Sequence, residues 1–235
     1  MGFCWAGVFE GGDCVFLVTS RLAFWQQPIV DLATGHVISV EWLARARGDD
    51  SAVRLWQAAT QLGLIARYEY AILQHLVRVR RVQHDPRIWH INLHPQGVVR
   101  SIGHYPDVWG RFTRDLSPVV WELLEVDHWR SEDIAALTRV GGDLALDDWG
   151  DGPGTSTRLT QWPIRRLKLD WPLIQRAMHE VRAGAWVQAV QAYAAAQGIM
   201  VIAEGLETVD HVEVAKELGI RYGQGWACGV PALVR

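Results

Sequence analysis

Short apolar runs rich in Val, Ile, Leu and Trp alternate along the chain with longer segments in which apolar residues return every three or four positions. The short runs, Phe24–Val30, Val37–Leu43, Ile88–Leu93, Val119–Leu123, Leu144–Asp147, Leu167–Leu169, Met200–Ala203 and Ile220–Tyr222, predict β-strands. Between them the spacing predicts helices. Val53, Trp56, Leu62, Ile65, Ile72 and Leu76 share a helical period across two adjoining helices. A further helix is expected from about Pro172 to Gln197, stopped by Gly198. Thr208 is placed to cap a short helix ending near Gly219. Asp31 to Gly35 reads as a hairpin turn, so the first two strands are expected to be antiparallel. About eight strands alternating with helices over some 200 residues predict a parallel α/β barrel. A doubly wound sheet is the alternative, but no GxGxxG follows an early strand. Residues 1–20 read as an N-terminal extension of unknown role, either an edge strand or an ordered tail; residues 21–235 read as one domain without repeat, linker or low-complexity tract.

The chemistry lies in what ends the strands. Glu41 sits in the second run, and Asn92 closes Ile88-Trp-His-Ile. Glu122 follows Val119-Val-Trp, and Asp147 with Asp148 closes Leu144-Ala-Leu. Lys168 and Asp170 flank Leu169, Glu204 follows Val201-Ile-Ala, and Gln224 follows Arg221-Tyr-Gly. In a parallel barrel the carboxyl ends of the strands open on one face, which houses the active site. Lys168 alone cannot offset Glu41, Glu122, Asp147, Asp148 and Glu204, and buried carboxylates must either neutralise or find partners. Oxygen ligands without His or Cys favour hard divalent ions such as Mg2+ or Mn2+. The adjacent Asp147–Asp148 pair suits a site in which one carboxylate bridges two ions, the arrangement used for in-line attack of water on a phosphodiester. The residues therefore point to a metal-dependent phosphoryl or related hydrolase. The alternative is that these acids cap strands and pair with surface arginines. His90 and His94 are left out of the ligand set, because a hard-ion site does not need imidazole.

Composition narrows the partners. A formal net charge of −3 disfavours a nucleic-acid polymer as partner, though not a small anionic substrate at a metal site. The three cysteines form no CxxC, which disfavours a disulfide framework or a zinc site and fits a reducing cytoplasm. No apolar stretch is long enough for a membrane span, and Glu10 and Asp13 do not suit a basic leader. Thirteen tryptophans read as core and interface mass.

The motifs in order resemble the EAL family. They are Gln27-Pro-Ile-Val-Asp-Leu-Ala-Thr-Gly35 with Glu41-Trp-Leu-Ala-Arg45, Leu62-Gly-Leu-Ile65, Ile91-Asn-Leu-His-Pro95 and Glu122-Leu-Leu-Glu125. Leu146-Asp-Asp-Trp-Gly150, Leu167-Lys-Leu-Asp170, Ala203-Glu-Gly-Leu-Glu-Thr208 and Gly223-Gln-Gly225 follow. The resemblance implies an α/β fold, a modified (β/α)8 TIM-type barrel with one antiparallel strand, that hydrolyses cyclic di-GMP to linear pGpG with two divalent cations, Mg2+ or Mn2+. By the same resemblance Glu41, Asn92, Glu122 and Asp147 hold the first metal, and Asp147 and Asp148 the second. Glu204 and Lys168 are the catalytic pair. Gln27, Arg45, Asp170, Glu207 and Gln224 contact substrate or support it, and Glu125 braces the loop after the aspartate pair. A homodimer is expected by analogy.

The chain departs from the family pattern at three sites. Trp42 replaces a small residue beside Glu41 and, by strand alternation, is expected to face outward. Asp151, Pro153 and Gly154 alter the loop after the aspartate pair. Val230 replaces a frequent lysine. The rival reading is a catalytically weak EAL domain acting as a cyclic di-GMP receptor.

Overall fold

A computed structural model describes residues 22–46, 57, 59–124, 129–150 and 155–234. The strands are β1 (Leu22–Asp31), β2 (Val37–Ala46), β3 (Ile88–Leu93), β4 (Val119–Leu124), β5 (Asp143–Trp149), β6 (Ile164–Leu169), β7 (Met200–Ala203), β8 (Tyr222–Gln224) and β9 (Ala232–Leu233). The helices between them are α1 (Ile65–Gln83), α2 (Pro95–Ser101), α3 (Pro106–Leu116), α4 (Ser131–Val140), α5 (Thr155–Gln161), α6 (Trp171–His179), α7 (Val181–Gln197) and α8 (Val209–Glu217). Strands β2 to β8 are parallel neighbours in sequence order, and β1 lies antiparallel between β8 and β2, closing the barrel. The expected α/β barrel with its antiparallel strand is present, with β9 added along the outer part of β1.

The hairpin forms because Asp31 Oδ1 accepts hydrogen bonds from the N–H groups of Ala33 (2.9 Å) and Thr34 (3.2 Å), while Gly35 takes a positive φ of 72°. Strand alternation then sorts the side chains. Trp89, Trp121 and Leu167 face the helices, whereas His90, Glu122 and Lys168 face the barrel interior. Trp42 does pack outward, with its ring centroid 4.4 Å from that of Trp89. The tryptophans are largely core mass: Trp89, Trp121 and Trp149 are fully buried.

Several element bounds differ from expectation. The helix expected from Pro172 to Gln197 is two, because Glu180 is extended (φ −119°, ψ 114°) and lets α7 fold back on α6. Gly184 permits that approach, since a Cβ there would lie 3.3 Å from the Ala177 carbonyl. Gly198 ends α7 in the left-handed conformation, and the Thr208 hydroxyl caps α8, both as expected. The last barrel strand begins at Tyr222 instead of Ile220, which puts Gln224 inside the strand. Val53, Trp56, residues 1–20, Glu125, Asp151, Pro153 and Gly154 lie outside the described residues.

One buried acid belongs to no expected site. Glu69 on α1 is 2 % exposed, and its Oε1 accepts the backbone N–H of His94 at 2.9 Å, just before α2. Burial pushes its carboxyl up to about 8. A raised folded pKa means that the native state holds a proton the unfolded chain has lost, so stability falls as pH rises from about 4.5 toward 8. Glu69→Gln keeps an acceptor for His94 without the charge. It is expected to stabilise the protein by about 2–4 kcal/mol at pH 8.5 and by under about 1 kcal/mol near pH 5. Thermal melts across that range check this; a gain independent of pH contradicts a carboxyl buried neutral.

Candidate active site

The carboxyl ends of β2 to β7 and of β8 converge on one mouth. Glu41 is 5 % exposed and is held on three sides. Asn92 Nδ2 donates to its Oε1 (2.7 Å), Gln224 Nε2 donates to its Oε2 (2.6 Å), and Lys168 Nζ lies 3.2 Å from Oε2. Lys168, 1 % exposed, also lies 2.6 Å from Asp147, 2.9 Å from Glu204 and 3.1 Å from Glu122. One ammonium thus touches four carboxylates.

Consecutive residues on a strand ordinarily point to opposite faces, yet Asp147 and Asp148 both serve the mouth. The cause is a bulge. Leu146 pairs with Leu167 but Trp149 pairs with Leu169, so β5 spends one residue more than β6 over this stretch. Asp148 absorbs it with a φ of 53°, a left-handed conformation that aspartate tolerates better than most residues. Trp149 then returns to the helix side, stacked 6.1 Å from Trp186 of α7.

Glu204 leaves β7 with its backbone N–H bonded to the Leu169 carbonyl at 3.0 Å. The loop after it is clamped to the end of β8. Leu206 donates to the Gln224 carbonyl (3.1 Å), and Ala227 donates to the Leu206 carbonyl (2.8 Å). Gly205 (φ 66°) and Gly225 are required at this contact, because a Cβ on the first would strike Trp171 and on the second the Leu206 backbone.

The charge imbalance shows in the acids themselves. Burial and neighbouring carboxylates push Glu122 and Glu204 well above the ordinary range and raise Asp147 to about 6, each against the pull of Lys168. Burial also pushes Glu41 up, but Lys168, Gln224 and Asn92 together outweigh it and hold that carboxyl low. Burial alone would lower Lys168; its four acidic partners hold it well above the usual lysine value instead.

These residues fit divalent cations. Glu122 Oε2 and Glu204 Oε2 are buried with no hydrogen-bond partner. Oxygens of Glu41, Glu122 and Asp147 lie within 4.8 Å of one another, as do those of Asp147, Asp148 and Glu204. Asp147 belongs to both groups, the position expected of a bridging carboxylate.

The remaining expected residues are less central. Gln27 is the register partner of Glu41 on β1 and half-buried, hence on the same face. Arg45, nearer the rim, has a buried Nε without a partner and its guanidinium 5.7 Å from the Trp25 ring centre. Asp170 is half-buried at the start of α6, directly after β6, whereas Glu207 is exposed on the loop after Glu204. Gln224, expected at the substrate, bonds Glu41. His94 caps α2 by accepting from the Gln96 N–H (3.2 Å), which leaves it outside the acidic cluster as expected. His90, excluded from the ligand set on metal preference, has its ring in the barrel floor with Nδ1 2.7 Å from Glu122 Oε1. Its even spacing from Asn92 was the available signal.

The family model described as EAL domain matches residues 16–231. The chain belongs to the EAL domain family. Among its relatives in this family, the Pseudomonas aeruginosa cyclic di-GMP phosphodiesterase RocR is 33% identical over 100 residues, covering 43% of this chain and 26% of that protein. The Pseudomonas aeruginosa cyclic di-GMP phosphodiesterase PA2567 is 28% identical over 221 residues, covering 88% of this chain and 38% of its own length. This EAL chain thus spans well under half the length of both relatives. Among solved structures, the Klebsiella pneumoniae BlrP1 manganese/cy-diGMP complex at pH 9.0 superposes with a TM-score of 0.78 at 26% identity, covering 91% of this chain and 56% of that one.

Proposed function

We propose that the chain is a cyclic di-GMP phosphodiesterase that hydrolyses one phosphodiester bond to give linear pGpG, with two divalent cations, Mg2+ or Mn2+, in the acidic mouth. The carrying observation is the pair of carboxylate groups that share Asp147. The names of relatives in the same family, and a manganese and cyclic di-GMP complex among the structural neighbours, support the substrate and the metal.

Glu41, Asn92, Glu122 and Asp147 would hold one cation, and Asp147 and Asp148 the other. Bound there, such ions lower the pKa of coordinated water and neutralise charge on the phosphoryl oxygens. The chain's own groups do the rest. Glu204 Oε2, without a hydrogen-bond partner, accepts the proton of the attacking water. Lys168 holds Glu204 Oε1 at 2.9 Å and adds a fixed positive charge where negative charge develops. Asn92 and Gln224 keep Glu41 in place, and Arg45 and Gln27 at the rim suit a phosphate and a guanine. Asp170 and Glu207 orient the loops around the substrate.

No helix among the described residues is long and apolar enough to cross a membrane. A cytoplasmic enzyme acting as a homodimer completes the proposal, and light scattering tests the dimer. Incubation of the pure protein with cyclic di-GMP and Mg2+ or Mn2+ is expected to give pGpG by chromatography. Substrate bound but intact after long incubation would establish a receptor instead.

A further inference from the structure

His90 lies inside the barrel on β3, opposite Glu41 of β2 and Val120 of β4 in the parallel register, with no exposure to solvent. Its Nδ1 is 2.7 Å from Oε1 of the equally buried Glu122. Lys168 Nζ approaches that same oxygen at 3.1 Å. Both contacts therefore fall on Oε1, while Oε2 has none and is buried. The terminal torsion of a glutamate is soft and roughly two-fold, so without fixed donors its two oxygens exchange easily. A carboxylate that ligates a cation is ionised and can only accept, so with a cation bound the 2.7 Å contact requires the imidazole proton on Nδ1. Nε2 is buried without a partner.

We propose that His90 is a positioning residue: its Nδ1–H fixes Glu122 Oε1 so that Oε2 is presented to a divalent cation. This rests on the metal-dependent reading above. Imidazole here does not ligate; it sets the angle of the oxygen that does, as outer partners of metal ligands commonly do.

Isosteres separate this role from packing. Asn carries its side-chain amide nitrogen where His carries Nδ1, Gln carries it where His carries Nε2, and Phe fills the space without a donor. Mn2+ affinity, read by electron paramagnetic resonance of the free ion, is expected to fall about 10–100-fold in His90→Gln and His90→Phe. His90→Asn is expected to stay within about 3-fold of the parent protein, the scatter usual for a conservative change. Equal affinity in all four proteins, or His90→Asn as weak as His90→Phe, overturns the assignment. No Mn2+ bound by the parent protein would remove the metal reading itself, a separate failure. A second measurement needs no variant to fold: histidine 15N spectra of the Mg2+-loaded parent should show a neutral, Nδ1-protonated ring shielded from solvent exchange. A set of spectra with only Nε2-protonated or cationic rings overturns the proposal.

Discussion

Glu204→Gln is expected to lower kcat for cyclic di-GMP by about 10²–10⁴-fold, the span assigned to a general base, while nucleotide affinity changes only a few-fold. The substitution keeps the shape and the oxygen facing Lys168 but removes the basic Oε2, which has no other hydrogen-bond partner. Glu204 comes from the strand end, clamped by the loop contacts at Leu206, so the amide should stay where the carboxylate was. Single-turnover rates beside equilibrium binding of labelled nucleotide separate the two effects. Rate and affinity lost in equal measure would assign Glu204 to substrate binding instead.

Lys168→Met should destabilise the chelated protein by about 3–5 kcal/mol, the usual cost of removing one partner from a buried charge cluster. For a chain of this length that corresponds to a fall in Tm on the order of 10 °C. Four carboxylates within 3.2 Å lose their common counter-charge, and Glu41, Glu122 and Asp147 are buried away from screening water. The loss should grow with pH. Burial and neighbouring acids already raise Asp147 to about 6 against the pull of Lys168, and removing that pull raises it further, so its proton offsets the repulsion at pH 5 and progressively less as pH rises. Saturating Mn2+ should restore most of the Tm, because a ligand at about 1,000 times its Kd contributes about 4 kcal/mol. A variant that melts like the parent in chelator at pH 8 would show that the acids do not depend on Lys168.

The barrel and most of the acidic mouth are legible in the sequence because both rest on local patterns. Alternation along β3, β4 and β6 assigns Asn92, Glu122 and Lys168 to one face, and strand ends deliver Asp147 and Glu204. What was not legible depends on tertiary fit. The bulge at Asp148 carries no proline or glycine, yet it decides that both aspartates face the mouth. The break at Glu180 interrupts an apolar period that the sequence continues, since α7 packs back onto α6. Gln224, expected to contact or support the substrate, has its amide on Glu41, a tertiary contact that depends on where β8 runs. Metal preference bears on His90 only as a direct ligand and says nothing of a residue that holds a neighbouring carboxylate, as His90 holds Glu122.

Anomalous diffraction at the manganese edge, from crystals grown with Mn2+, tests the central claim most directly. The account predicts a peak among Glu41, Asn92, Glu122 and Asp147 and a second beside Asp147 and Asp148. Carboxylates still gathered about Lys168 with no peak between them, at saturating Mn2+, would contradict it.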